Sequence, residues 1–337
     1  MKNCKKKILC GFLAGAVLFA SGCGNKDIQD QAKVQRYAWP LGSSSPEDTV
    51  TQIYAEKFAE EVERLSDGTM LISVYPNSVL GGDRELLESC KEGDIPFVVQ
   101  NTAPQVTFMP DVAVFDMPAV FETIDEVREH VDNPDFLSMM QQVYGDAGYV
   151  LLGYADQGFR VMTTNRNVQS ISDFKGQKIR TMENQVQLDS FTAFGASPLP
   201  MAYGELYTAL QQNIIDGAEA ANTNYYSKKF YEAAPHWAMV GWTNDLGICV
   251  VAKNFYDSLS DEHKQIIDEC TKEMIDKERE LYTASEDECL ELLKGEGIEI
   301  TEPDREPFIE AAQSVYDQWG DKVGGRDKID AIVNFGK

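Results

Sequence analysis

The chain has 337 residues, of which 43% are hydrophobic and 25% charged, enough apolar material for a sizeable core. This length favours two domains. The formal net charge of -25 argues against nucleic acid, or an anionic membrane surface, as a partner of the folded part.

Residues 1–22 are predicted to be a targeting segment that is removed from the mature protein. Four lysines lie within the first seven residues, and an apolar stretch from Ile8 to Ala20 follows that is too short to span a bilayer. Ser21-Gly22-Cys23 then resembles the cleavage site of a bacterial lipoprotein. We therefore expect Cys23 to carry a lipid and residues 23–33 to form a polar tether. The alternative is an ordinary secretory signal in which Cys23 is incidental.

The remaining cysteines and the histidines show no spacing typical of a metal site or a redox motif. They are Cys90, Cys249, Cys270, Cys289, His130, His236 and His263. Export permits disulfides without requiring them, and we predict free, buried thiols. No metal or cofactor is expected.

The first part of the chain reads as alternating strands and helices. Val34–Trp39 is predicted to be a strand ended by Pro40, and Ser45 is predicted to cap a helix that has Pro46 at its first position. The next predicted elements are a strand at Met70–Tyr75, a helix at Arg84–Lys91 and a strand at Ile95–Gln100.

The middle of the chain contains a helix pattern from about Ile124 to Val143 and strand patterns at Gly148–Tyr154 and Arg160–Thr164. Lys175–Glu219 then alternates strand, helix, strand, helix and strand, which favours a mostly parallel sheet. Ligands bind beyond the carboxyl ends of such strands, which is where we expect Arg180.

The last part is predicted to form a helix at Tyr225–Ala234 and an apolar strand within Trp242–Ala252. Ser260 is expected to cap a helix that has no Pro or Gly before Gly295. At about 1.5 Å per residue this helix would reach roughly 50 Å and could brace two lobes. A bend near Ser285 would instead give two shorter helices.

A series of short motifs, each weak alone, occurs here in an order and spacing that resemble the solute-binding proteins of tripartite ATP-independent periplasmic (TRAP) transporters. The resemblance covers about Arg36 to Trp319. The motifs are Phe58-Ala59-Glu60, Ser66-Asp67-Gly68, the run from Tyr75 to Glu85, Val114 to Pro118, Phe174 to Arg180, Gly195 to Pro198, Pro200-Met201-Ala202, Glu205 to Gln211 and Asp216 to Glu219.

The resemblance implies an α/β, two-lobed periplasmic-binding-protein-like fold with mixed, mostly parallel sheets and a long lobe-spanning helix. Lobe 1 is assigned to residues 34–156 and 246–284, and lobe 2 to residues 157–245 and 285–337. The hinges are expected near Asp156 and Asp245.

The resemblance also implies that Arg180 pairs with a ligand carboxylate and that Arg160 is a second ligand-binding arginine. The other residues expected to contact the ligand are Gln100, Asn101, Asn184, Tyr203 and Glu219. Trp39 and Trp242 are added as candidate cavity walls. Core packing is the alternative for the three aromatic residues, and an ion pair is the alternative for Glu219. Many family members carry Asn where this chain has Ala220, so that contact is either missing here or supplied by Asn222 or Asn224.

The predicted function is an extracytoplasmic receptor that captures a small organic acid, with sugar acids among the candidates, and delivers it to membrane subunits of a TRAP transporter. The receptor is expected on the outer face of the cell membrane, held by its lipid. A lipoprotein sensor would use the same closure. A secreted enzyme is the less favoured class, because no Gly-x-Ser-x-Gly motif, metal spacing or phosphate loop is present.

Overall fold

The computed structural model describes residues 36–320 and 322. The predicted signal segment, the tether and Cys23 lie outside these residues.

Eleven strands and ten α-helices are defined in the described residues. The strands are β1 (Tyr37–Ser43), β2 (Met70–Tyr75), β3 (Phe97–Asn101), β4 (Tyr149–Phe159), β5 (Val161–Thr164), β6 (Lys178–Thr181), β7 (Ser197–Pro200), β8 (Gly217–Ala220), β9 (His236–Ala238), β10 (Asn244–Ala252) and β11 (Glu299–Thr301). The helices are α1 (Val50–Leu65), α2 (Asp83–Glu92), α3 (Ile124–Val131), α4 (Pro134–Ala147), α5 (Gln185–Ala193), α6 (Leu206–Gln211), α7 (Asn222–Ser227), α8 (Lys253–Ser258), α9 (Asp261–Gly295) and α10 (Glu306–Gly320).

The strands form two mixed sheets, as predicted. The first has the order β2-β1-β3-β10-β4, in which β1 is parallel to β2 and β3 while β10 is antiparallel to its neighbours. The second has the order β11-β9-β5-β8-β6-β7, in which β6, β7 and β8 are parallel. Each sheet therefore presents a set of parallel strand ends, the place where α/β sheets bind ligands.

The chain passes from the first sheet to the second with one residue, Arg160, between β4 and β5. Gly158 lies just before this crossing, pairs with Asp245 of β10 and has φ of 98°. A Cβ atom at Gly158 would lie 2.2 Å from the Tyr282 hydroxyl oxygen. Glycine is therefore required where helix α9 passes over the crossing strand.

Helix α9 is one uninterrupted helix of 35 residues, about 50 Å long. The Ser260 side chain accepts a hydrogen bond from the His263 N–H, which confirms the predicted cap. Ile267 and Met274 pack in the core of the first sheet, whereas Leu293 packs against the second. The continuous helix was the correct alternative, and it spans both cores.

The prediction of a single helix from Ile124 to Val143 was wrong. Helix α3 ends at Val131, and α4 begins at Pro134. Proline has no N–H and is restricted to the first turn of a helix, and the Asn133 side chain caps the new start.

Two predicted boundaries near the amino-terminal end were also wrong. Pro40 lies within β1, where β3 pairs only from Leu41 onward, so the strand has one neighbour at that position. Helix α1 is capped by Thr49, whose hydroxyl accepts from the Gln52 N–H, and not by Ser45. Ser45 therefore does not cap this helix.

The end of the Lys175–Glu219 stretch differs in register from its prediction. The last strand, predicted at Ile214-Ile215 before a turn at Asp216-Gly217, is instead Gly217–Ala220, and Ile214 is exposed in the preceding turn. The predicted helix at Tyr225–Ala234 begins earlier, as α7, and ends at Ser227.

The thiols of Cys90, Cys249 and Cys270 are free and buried, as predicted, and that of Cys289 is free and half-buried. Across residues 36–320 no helix is long and apolar enough to cross a bilayer.

Candidate functional site

A cavity lies where the carboxyl ends of parallel strands from both sheets meet. Its charged lining residues are Asp83, Arg160 and Arg180, and its neutral ones are Ser44, Ser45, Asn101, Met182, Tyr203 and Asn224. Ser44 directly follows β1, Asn101 ends β3, and Met182 follows β6.

Arg160 and Arg180 are held side by side by one buried carboxylate, that of Glu219 on β8. The Arg160 Nε donates to Glu219 Oε2 at 2.5 Å, and the Arg180 Nη1 donates to Glu219 Oε1 at 3.0 Å. All three side chains are at most 3% exposed. Because both Glu219 oxygens are occupied and Glu219 does not line the cavity, the geometry favours the ion-pair alternative over direct ligand contact.

Arg180 keeps part of its hydrogen-bonding capacity for the cavity. Its Nε donates to the Met201 carbonyl at 2.9 Å, so together with the bond to Glu219 two of its five N–H groups are used. Burial lowers the pKa of Arg180, against the opposing effect of Glu219. An anion bound in the cavity beside Arg180 would offset the loss of water around its guanidinium group.

Arg160 has a second buried acid nearby. Its Nη1 lies 3.8 Å from Asp245 Oδ2, and within the described residues neither atom has a hydrogen-bond partner. Burial acts to lower the pKa of Arg160, but Glu219 and Asp245 outweigh it, so the pKa is raised. Burial raises the pKa of Asp245 to about 6, with Arg160 opposing the shift.

The neutral wall of the cavity is formed by hydroxyl and amide groups. Tyr203 packs edge-on against Phe230, with ring centroids 5.9 Å apart, and is fixed by this contact. Burial raises the pKa of Tyr203 well above its usual value, so its hydroxyl stays neutral and can donate a hydrogen bond. The Asn101 amide lies 3.7 Å from the Met182 sulfur, on the cavity side of β3.

Asn224, and not Asn222, lies on the cavity near Ala220. The Asn222 side chain donates to Glu286 at 2.7 Å and accepts from the Trp237 indole at 3.1 Å, which points it away. Asn224 lines the cavity and accepts from the Gln157 amide at 3.3 Å. Of the two asparagines, the geometry favours Asn224 as the replacement.

Two predicted ligand contacts lie outside the cavity lining. Gln100 neighbours Asn101 on β3, and successive strand side chains point to opposite faces, so only Asn101 reaches the cavity. Asn184 caps α5 by accepting from the Val186 N–H at 2.8 Å, and its amide donates to the Ala103 carbonyl at 2.8 Å. Its polar groups already have protein partners.

Neither predicted tryptophan lines the cavity. Trp39 stacks on Tyr37 and packs edge-on against Phe255 in the first core. Trp242 is 2% exposed and packs against Phe191 in the second core. For both, the geometry favours the alternative of core packing.

The sequence reading missed Ser44, Ser45, Asp83 and Met182 as lining residues. Ser45 had been assigned to a helix cap. Asp83 opens helix α2 after Gly82, where an acid has an ordinary explanation in the positive helix end. Residue patterns alone therefore gave no reason to single it out.

The two sides of the cavity touch each other. Besides the bond from Asn184 to Ala103, the Gln187 amide donates to Asp116 Oδ1 at 3.0 Å. The Lys228 ammonium donates to Asn77 Oδ1 at 2.8 Å. These bonds join the parts of the chain that carry the first and the second sheet.

A model of one protein family, the bacterial extracellular solute-binding proteins of family 7, matches residues 41–322. The chain belongs to this family. Solute-binding proteins of family 7 are extracytoplasmic receptors of TRAP transporters, so the chain is a solute-binding receptor and not an enzyme.

Individual similarities cover most of each chain. The chain is 28% identical over 284 residues to the sialic acid-binding periplasmic protein of Vibrio cholerae, covering 84% of this chain and 88% of that protein. It is 27% identical over 329 residues to the C4-dicarboxylate-binding protein of Bacillus subtilis, covering 95% and 93%. A TRAP periplasmic solute-binding protein of Polaromonas sp. JS666 bound to D-erythronate has a TM-score of 0.85 at 29% identity, covering 88% and 98%.

Proposed function

We propose that this family 7 receptor captures a small organic acid, with Arg180 holding the ligand carboxylate. The observation that carries the proposal is the buried pair Arg160–Arg180, fixed by Glu219 and facing a polar cavity. The planar guanidinium donates parallel hydrogen bonds to a carboxylate and stays charged. Asn101, Tyr203 and Asn224 would contact the remainder of the ligand.

Closure of the two lobes would supply the dry environment in which such a contact is strong. A ligand shifts a conformational equilibrium only if it binds one state better. The bonds from Asn184 to Ala103 and from Gln187 to Asp116 lie beside the cavity and form only when both sides meet. A ligand that contacts both sides would therefore favour the closed state. The hinges are proposed near Asp156 and Asp245, where β4 and β10 pair irregularly beside the crossing.

Similar proteins support an acid as ligand. The solutes named for the three similar proteins described above are sialic acid, a C4-dicarboxylate and D-erythronate, each of which carries a carboxylate. The chemistry that they share fits the arginine pair, whereas their sizes and second functional groups differ.

A thermal-shift screen of the purified protein tests the proposal. We expect sugar acids, dicarboxylates, keto acids or aromatic acids to raise the melting temperature, because a ligand that binds only the folded state stabilises it. Neutral sugars and cationic amines serve as comparison sets. Stabilisation by neutral or cationic compounds alone would contradict an acid receptor.

We further propose that the mature protein is attached by a lipid on Cys23 to the outer face of the cell membrane and hands its ligand to TRAP membrane subunits. Two acyl chains on one cysteine suffice for stable anchoring. The segment that precedes Cys23 has the basic and apolar parts of an export signal.

Replacing Cys23 tests the anchor. In cells that express Cys23→Ser, we expect the protein to leave the membrane fraction. Cys289→Ser, which changes a half-buried thiol far along the chain, is the matched control and should remain with the membranes. Equal membrane retention of Cys23→Ser would rule out lipidation at this residue.

A further inference from the structure

One face of helix α7 extends from the cavity toward solvent. Asn224 is buried on the cavity, and Ser227 and Lys228 follow it by three and four residues, a spacing that places side chains next to one another on a helix. The Lys228 N–H still donates to the Asn224 carbonyl at 3.1 Å, so Lys228 keeps its place in the last turn. The face of α7 that lines the cavity with Asn224 therefore continues outward to Lys228.

The Lys228 side chain crosses to the part of the chain that carries the first sheet. Its ammonium donates to Asn77 Oδ1 at 2.8 Å, and the neighbouring Ser227 hydroxyl donates to Asp48 Oδ1. Burial lowers the pKa of Lys228, and the charge of Asp48, followed by that of Glu47, opposes this shift. Lys228 is thus attracted by two carboxylates of the opposite side in addition to its hydrogen bond.

The turn that carries Asn77 is fixed to the wall of the cavity. The Asn77 N–H donates to the Ser45 carbonyl at 2.9 Å, and the Ser78 N–H donates to the Ser43 carbonyl at 3.1 Å. Asn77 and Ser78 have φ of 57° and 58°, a left-handed conformation that is unfavourable for residues with a side chain and recurs at ligand clamps. Because Ser45 lines the cavity, a contact with Asn77 also restrains the cavity wall.

The contact between Lys228 and Asn77 lies at the edge of the cavity. Ser45 and Asn224 are buried, Lys228 is half-buried and Asn77 is exposed, so exposure to solvent increases from the cavity wall to the contact. Salt and water weaken such a contact. It joins the two sides of the cavity, so it forms only when they meet and it stabilises the closed state alone.

We propose that Lys228 is a positioning residue that holds the cavity closed at its edge and thereby slows the release of the captured acid. Lys228 does not line the cavity, so it acts through Asn77 and the acids beside it rather than by contact with the ligand. This inference rests on the proposed capture of an organic acid.

Stopped-flow fluorescence measures association and dissociation rates separately and tests this role. The probe is D-erythronate or, if D-erythronate does not bind, the acid with the largest effect in the thermal-shift screen. In Lys228→Met we expect dissociation about two- to fivefold faster than in the wild type, the effect of losing one exposed charged contact. Lys228→Arg keeps the charge and a donor for Asn77, so it should release the acid at nearly the wild-type rate.

Lys229→Met is the matched control, because it removes the same charge one residue further along. Lys229 is exposed, and its ammonium lies 3.8 Å from Glu232 Oε1 on its own side of the cavity. We expect Lys229→Met to dissociate at the wild-type rate, and Lys228→Met to associate as fast as Lys229→Met, since the Lys228 contact forms after the acid has entered. Equal melting temperatures of the ligand-free variants report that they are folded.

Salt provides a second readout that a merely structural role would not change. Raising the ionic strength from about 0.01 to 0.15 M shortens the Debye length from about 30 to 8 Å. This change should accelerate release more in the wild type than in Lys228→Met, in which the screened charge is absent.

Two results would overturn the role of Lys228 while leaving acid capture intact. One is dissociation from Lys228→Met at the wild-type rate, and the other is equal acceleration in Lys229→Met. If no acid in the thermal-shift screen binds the wild-type protein, acid capture itself is wrong, and this inference fails with it.

Discussion

Arg180→Ala is expected to lose almost all affinity for the acid ligand. Removing one partner of a buried, hydrogen-bonded charge pair costs about 2–5 kcal/mol, which corresponds to a loss of roughly 30-fold or more in affinity. The ligand carboxylate would enter a cavity in which only Arg160 remains, and Arg160 already donates to Glu219. Isothermal titration calorimetry with the tightest acid of the thermal-shift screen measures the loss.

Two further variants separate this effect from unfolding. Arg180→Lys keeps a positive charge beside Glu219 but cannot donate two parallel hydrogen bonds, so we expect it to fold and still bind weakly. Arg64→Ala removes an exposed arginine paired with Glu61 on α1 and should bind like the wild type. Wild-type affinity in either Arg180 variant would exclude Arg180 as the anchor.

Glu219→Ala is expected to destabilise the whole fold. The Glu219 carboxylate is fully buried and holds both Arg160 and Arg180, so its removal leaves two buried guanidinium groups without their shared partner. Breaking a buried ion pair by removing one partner costs about 3–5 kcal/mol. Urea denaturation followed by circular dichroism should show a clearly lower midpoint.

Glu310→Ala, at an exposed position of α10, provides the comparison, because surface substitutions usually change the free energy of unfolding by about 0.5 kcal/mol or less. Ligand affinity of Glu219→Ala should also fall, since the arginines lose their orientation. A midpoint equal to that of the control would mean that Glu219 does not hold the arginine pair together.

Sequence patterns were sufficient for most of the helices and strands, whereas the two-lobed arrangement was implied by the resemblance to the TRAP solute-binding proteins. The continuous helix α9 and the alternation around Arg180 follow directly from the absence of Pro and Gly and from the spacing of apolar residues. The boundaries that failed include those at Pro40, Pro134 and Thr49. At Pro40 the number of neighbouring strands decides the outcome, and no local pattern contains that information.

The site was predicted less completely than the fold, since a cavity depends on which faces of separate elements meet. Arg160, Arg180, Asn101 and Tyr203 lie together on the cavity. Asn184 was predicted to contact the ligand, and in the structure its side chain caps helix α5. Asp83, by contrast, was not predicted, because its place in the sequence is explained by the start of helix α2. Only the three-dimensional structure, in which Ser44 binds its carboxylate, places it on the cavity.

The most direct measurement compares one acid with its uncharged primary amide by calorimetry on the wild-type protein. The two ligands have nearly the same size, but the amide lacks the negative charge that Arg180 would hold and has an NH2 donor in place of one acceptor oxygen. We expect the acid to bind about 30-fold or more tightly than the amide, in line with the loss of a buried charged hydrogen bond. An amide that binds as tightly as the acid would contradict carboxylate capture by the Arg160–Arg180 pair.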